Sequence, residues 1–228
     1  ANYFKWWDVD DVVLGTGRIA VLVGAAGESG WGAFRKNRWD EHLKLRGEIQ
    51  KILTATVLSA SKMTGIDVEV LGCNAWTAER AKRKADEFLY RRGSIRLSGY
   101  PSPSSFTCVK GTGVIGRCWE KNEAVYKNFD GDQADFPQGV TPSKDQWKNI
   151  SPAAKWGCTR KEYSSAVWRY SQIIAVPFGG DKGIRGCLSL DIPTDRRTDL
   201  TINLAEVREL LSQSGQSIHS LLETRGMV

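Results

Sequence analysis

The sequence predicts an α+β domain in which a central antiparallel sheet is flanked by N- and C-terminal helices. Three observations lead there. The runs "SQIIAVPF" (171–178) and "GIRGCLSLDI" (183–192) are joined by "GGDKG", a hairpin pattern. A second pair, "IDVEVLGCNAW" (66–76) and "FLYRRGSIRLS" (88–98), brackets a polar segment and suits another antiparallel hairpin. Amphipathic helical patterns stand at both ends of this β-rich stretch.

Taken in order, residues 40–63 place Leu45, Ile49, Ile52, Leu53, Val57 and Ala60 at three- and four-residue steps, which predicts a helix ended by Gly65. The two strand-like runs follow, and the Pro/Ser-rich "GYPSPSS" marks a turn. "FTCV" (106–109) leads into "VIGRCWEKNEAVY" (114–126), read as a short helix of about three turns. Between 128 and 165 periodicity fades, which predicts a long loop holding one or two helical turns; loops of that length serve as lids or binding loops. After the second hairpin, Leu204, Val207, Leu211, Ser214, Ile218 and Leu221 give residues 200–224 a heptad seam. So short a seam needs a partner: the first helix, the sheet, or the same helix of a second chain. Pro177 has no amide hydrogen to give a ladder and is expected at the edge or end of its strand.

Composition bounds the rest. With 228 residues, 41% hydrophobic and 25% charged, the chain can bury a sizeable core without staples. Cys73, Cys108, Cys118, Cys158 and Cys187 are odd in number and form no C-x-x-C pair, with two histidines to join them, so neither a zinc site nor a disulfide framework is expected. Reduced thiols in a cytoplasmic protein are. Much of the +6 net charge sits in 79–96, a possible nucleic-acid or membrane contact, but no nucleic-acid motif accompanies it and a solvated hairpin tip is the expectation. Residues 1–40 read as an extension preceding a domain over 41–224. Asp8, Asp10, Asp11, Arg18 and Glu28 interrupt every candidate spanning window there, and Trp6 and Trp7 are expected to pack rather than seek a membrane interface.

"KGTGVIGRCW" (110–119) contains a literal G-x-G-x-x-G. A dinucleotide fold would require a parallel strand and an acidic residue about 20 positions on. Asp130 and Asp132 lie near that distance, yet no apolar strand is visible before them and an antiparallel hairpin comes later. The set therefore reads as turn and packing glycines: Gly111 and Gly113 for positive φ, Gly116 for close approach of the helix to the sheet.

"KGTGVIGRCWEKNEAV" followed by "IIAVPFGGDKGIRGCLSLDIP" resembles two elements of the GAF domain family, in that family's order and separation, over roughly 43–222. The resemblance implies a GAF/PAS-like sheet bordered by helices that often dimerise, and a pocket on the other face closed by loops and short helices. It also implies a non-enzymatic sensory or regulatory role. Among the ligands the family holds, cyclic nucleotides, bilins and haem are disfavoured: the cyclic-nucleotide pattern is missing, Cys108 and Cys118 have no histidine beside them, and His42 and His219 fall on the flanking helices. The cofactor is left unnamed. A methionine sulfoxide reductase branch of the family uses pocket cysteines, and Cys108, Cys118 and Cys158 keep a thiol enzyme or redox sensor as the alternative, though "KWGCTRKEY" lacks that branch's loop pattern.

The candidate ligand-binding residues are Trp119, Trp156 and Tyr163 as an aromatic wall, Arg117 and Arg160 as forks for an anionic group, and Cys118 between them. The competing reading is that these aromatics only cover the sheet. An unidentified small molecule and a homodimer through the flanking helices are the expected partners.

Overall fold

The computed structural model describes residues 40–79, 88–99, 108–134, 141–180 and 183–225. By compactness the chain divides into 1–45 and 46–228. Of the first unit only 40–45 are described, and they are helical. The readings of residues 1–39 and of the basic hairpin tip at 80–87 lie outside the described residues.

Helix α1 (40–64) ends at Gly65, whose φ is 72°, as the spacing predicts. Strand β1 (Gly72–Glu79) starts six residues later than the sequence suggested. Asp67 explains the delay: its carboxylate accepts from the Glu69 N–H and its carbonyl from the Val70 N–H, a local turn that competes with ladder pairing. Strand β2 (Phe88–Arg96) runs antiparallel to β1, with a bulge at Ala75/Trp76. After β3 (Cys108–Val109) comes α2 (Gly113–Lys121), which stops earlier than expected because Asn122 takes the left-handed conformation and its N–H closes on the Cys118 carbonyl. Val125 and Tyr126, read as the end of that helix, instead begin strand β4 (Val125–Asn128). A strand therefore does precede Asp130 and Asp132, but it pairs antiparallel with its neighbour, so the dinucleotide reading still fails.

The stretch expected to be a long loop is mostly helical: α3 (Asp130–Ala134), α4 (Lys144–Asn149), α5 (Pro152–Lys155) and α6 (Arg160–Arg169). Caps, rather than apolar periodicity, start these helices. Ser143 with Gln146 and Thr159 with Glu162 form reciprocal capping boxes, and Ser151 caps a helix opened by Pro152.

Strands β5 (Tyr170–Gly180) and β6 (Gly183–Pro193) form the expected hairpin. The whole sheet is antiparallel in the order β3-β2-β1-β6-β5-β4. Pro177 lies inside β5, opposite Cys187, but β4 covers only Gln172 to Ala175, so among the described residues no strand pairs with the other side there.

Helix α7 (Ala205–Thr224) starts five residues late because Gln172 ties the preceding segment to β5. Its amide donates to the Leu200 carbonyl (2.8 Å) and its carbonyl oxygen accepts from the Ile202 N–H (3.2 Å). The helix buries Val207, Leu211, Ser214, Ile218 and Leu222 against β5 and β6, and Leu221 of the predicted seam is half-buried. Its second neighbour is α1: Thr56 donates a hydrogen bond to Ser214 (2.8 Å), and Arg225 pairs with Glu48. Helix α1 lies over β2 at Gly93, where a Cβ would stand 2.7 Å from Ile49 Cγ2. Helices α1 and α7 thus share one face of the sheet, and α2 and α6 pack on the other. Among the described residues no helix is long and apolar enough to cross a membrane.

Candidate functional site

The face opposite α1 and α7 carries its own buried cluster, including Trp76, Leu89, Cys108, Val114, Cys118, Trp119, Phe129, Tyr163 and Ile173. Within it lies a cleft of about 100 Å³, and beside it a polar recess of about 190 Å³ that shares Asn74, Arg91, Tyr170 and Asp191 with it. Strand alternation builds the floor: Asn74 and Trp76 on β1 and Ser189 and Asp191 on β6 are two-residue steps on one face. Helix α6 supplies Tyr163 and Arg169, and the turn at 112–115 and Trp156 supply the opposite wall.

Two turns interlock to close this wall. Gly111 and Gly113 have φ of 77° and 63°, the left-handed backbone expected of them. Trp156 and Gly157 adopt it as well, at 53° and 68°. The Gly113 N–H donates to the Trp156 carbonyl at 2.7 Å, and Gly157 packs so tightly that a Cβ would overlap the Gly111 carbonyl oxygen. A bulky residue in the left-handed region is strained, so the fold holds Trp156 there against its own preference. Its ring is flanked by the Arg117 guanidinium at 4.3 Å and Lys127 Nζ at 5.8 Å. Trp147 supports Tyr163 from behind, with ring centroids 5.5 Å apart. Gly116 plays the packing part expected of it: a Cβ there would overlap the Val109 carbonyl oxygen.

The polar end is a row across three strands. Register places Arg96 of β2, Gly72 of β1 and Asp191 of β6 side by side. Without a side chain at Gly72, the Arg96 guanidinium crosses β1 and pairs with Asp191; a Cβ at Gly72 would overlap it. Arg96 also donates to the Val70 carbonyl (3.0 Å), and Asn74 donates to the second Asp191 oxygen (3.0 Å) while accepting from Ser94 (2.7 Å). Trp76 Nε1 donates to the Ser189 hydroxyl. Arg91 lies over the Trp76 ring at 5.5 Å, and Arg169 Nε donates to the Tyr170 hydroxyl at 3.0 Å.

Of the residues picked from sequence, Trp156 and Tyr163 line the cleft. Arg117, Cys118, Trp119 and Arg160 do not. The cleft meets only the first turn of α2, and Cys118 and Trp119 sit one turn further along, buried beneath the helix. Arg117 stays outside, stacked on Trp156 and donating to the Ala153 carbonyl (3.1 Å). Arg160 opens α6, one turn before Tyr163. Sequence reading missed Trp76, Phe129, Arg91, Arg169 and Asp191; for Trp76 and Asp191, two-residue alternation in β1 and β6 was the available signal. His219 lies on α7, with Nε2 3.3 Å from Glu223.

All five cysteines are free thiols, and Cys158 alone is not buried. Burial pushes Cys73 and Cys108 up to about 12 and Cys158 up to about 11, in the last case aided by the Glu162 charge. Cys187 is raised by its hydrogen bond with Cys118 and then by burial. These shifts have a sign. A thiol that stays neutral when folded but ionises when unfolded contributes stability that is complete below pH about 9. That stability is lost as pH rises toward 12, by up to ~1.4 kcal/mol per pH unit for each thiol. Urea titrations between pH 8 and 11 should therefore show a fall that is shallower in Cys73→Ala; parallel slopes would refute the assignment. Among the described residues no group of three His, Cys, Asp or Glu side chains could hold a metal ion.

No protein-family model matches the sequence, and no curated protein matches it. The chain is similar in structure to a GAF domain/HD domain protein from Geobacter sulfurreducens (12% identity, 80% of this chain and 98% of that one, TM-score 0.46). It is also similar to the GAF domain of a phosphoenolpyruvate-protein phosphotransferase from Coxiella burnetii (12%, 82% and 97%, 0.45). A third likeness is to a type II free methionine-R-sulfoxide reductase from Thermoplasma acidophilum (12%, 79% and 96%, 0.45). The antiparallel strand order, α1 and α7 on one face and the covered cleft opposite are the α+β arrangement that the resemblance of the sequence implies.

Proposed function

We propose that residues 41–224 form a non-enzymatic sensory or regulatory module that binds a small molecule in the aromatic cleft, with residues 1–40 as an extension. The interlocked turns carry this reading: the chain holds Trp156 in an unfavourable backbone conformation where its ring walls a cleft that also contains charged groups. Ligand contact with Trp156 or Tyr163 would bias the order of 141–169, and the sheet would pass the change to α1 and α7. Such coupling requires a ligand that binds two helix arrangements with different affinity. Self-association through α1 is favoured by Leu58 and Met63, both exposed on that helix.

Thermal melts of the full chain with indole, phenylacetate and 2-phenylacetamide test the binding step. A ligand at about one hundred times its dissociation constant stabilises by about 2.7 kcal/mol, which raises Tm by about 2–4 °C per kcal/mol. Trp156→Gly, which removes the ring and relieves the backbone, should lose the shift while remaining folded. If none of the three compounds moves Tm, and native mass spectrometry finds no small molecule on freshly purified protein, the reading fails.

The second reading, a thiol enzyme, has one observation in its favour: Cys108 and Cys158 both line the cleft. Against it, both are held protonated at neutral pH, and a nucleophile must be a thiolate. NADPH- and thioredoxin-linked turnover of methionine sulfoxide is expected to be undetectable; turnover abolished by Cys158→Ser would reverse the order of the two readings.

A further inference from the structure

We propose that the cleft takes a single-ring carboxylic acid, its ring against Trp76, Trp156 and Tyr163 and its carboxylate on Arg169. This rests on the reading that the cleft is a small-ligand site, and it names the ligand's chemistry. The size of the space comes first. About 100 Å³ of apolar-walled volume is two thirds of the apolar cavity of about 150 Å³ known to accept benzene, so a single ring is the most it could take, and only by extending into the neighbouring recess. The adjoining polar recess has room for a charged substituent, and the two spaces meet at Asn74, Arg91, Tyr170 and Asp191.

The charge at that junction is unbalanced toward the positive. Arg91, Arg96 and Arg169 border the joined space, with Asp191 and Glu162 as its carboxylates. Asp191 is already engaged, one oxygen on Arg96 and the other on Asn74. Glu162 is engaged as well, accepting from the Thr159 N–H that starts α6 (2.8 Å). Arg169 is the unsatisfied member. Its Nε reaches the Tyr170 hydroxyl, but its Nη2 is buried with no hydrogen-bond partner among the described residues. A buried guanidinium N–H without an acceptor is costly, and a planar carboxylate is the acceptor that fits a guanidinium best. An amine would meet three arginines against two carboxylates, each of which already accepts a hydrogen bond.

Calorimetry with the full chain compares phenylacetate, its neutral isostere 2-phenylacetamide, and phenethylamine. Phenylacetate is expected to bind at least about tenfold more tightly than the amide, with the amine weakest, and Arg169→Gln should bring the acid-to-amide ratio close to one. The comparison on the unaltered protein stands by itself should Arg169→Gln fail to fold. Equal binding of acid and amide would overturn the carboxylate assignment while leaving the cleft a ligand site. An acid preference that survives in folded Arg169→Gln would overturn the role of Arg169. No binding by any of the three would overturn this proposal; the cleft reading beneath it falls only if, in addition, indole gives no Tm shift and native mass spectrometry finds no small molecule on the purified protein.

Discussion

Arg96→Met is expected to lower the unfolding free energy by roughly 3–5 kcal/mol, because it leaves Asp191 charged, buried and short of its main partner. Both side chains are almost wholly enclosed, at 9% and 4% exposure, so solvent screening does little to soften the loss. Burial lowers the Arg96 pKa, as does the nearby Arg169 charge, while Tyr170 and Asp195 raise it. Asp191→Leu should cost a similar amount for the mirror-image reason. The double variant Arg96→Met/Asp191→Leu should recover most of the loss, since paired apolar replacements of buried ion pairs are often neutral. Urea denaturation checks this as a double-mutant cycle, read as midpoint shifts at constant m. Additive losses would mean that the pair across Gly72 does not form.

Gly157→Ala is expected to cost roughly 2–5 kcal/mol by two routes. A Cβ in the left-handed region costs about 1–2 kcal/mol. The same Cβ would overlap the Gly111 carbonyl oxygen, a backbone atom that cannot swing aside, and overpacking adds about 1–3 kcal/mol. Gly99→Ala separates the two: its φ of 70° is similar, but nothing lies within 4 Å of the added atom, so only the conformational part should be seen. Hydrogen exchange gives the local readout. The Gly113 amide, which donates to the Trp156 carbonyl, should lose protection in Gly157→Ala and keep it in Gly99→Ala. Equal effects of the two substitutions would mean that the turns do not interlock.

What could be read from the chain alone follows the range of each signal. The β5–β6 hairpin, α1 and the glycine turn before α2 were legible because their periodicity and turn chemistry are local. Helix α6 was not, because its ten residues bury only Tyr163 and Val167; the pairs Ser143/Gln146 and Thr159/Glu162 carried the information as caps instead. Strand β4 was hidden behind the helical look of α2, whose end is set by the left-handed Asn122. The polar end of the cleft is the least local feature of all. Arg96, Gly72 and Asp191 become neighbours only through the register of three strands, which no short stretch of sequence contains. The aromatic wall was half legible: Trp156 and Tyr163 were picked as loop aromatics, whereas Trp76 needed strand alternation with a bulge beside it.

The central claim is that small molecules enter between Trp156 and the sheet, on the face away from α1 and α7. Titrating the full chain with phenylacetate while following its tryptophan indole N–H resonances by NMR, assigned through Trp76→Phe and Trp156→Gly, tests it most directly. The resonances of Trp76 and Trp156 should move together, saturably and with one dissociation constant. If phenylacetate binds while those two stay fixed, the ligand sits elsewhere and the cleft is only packing.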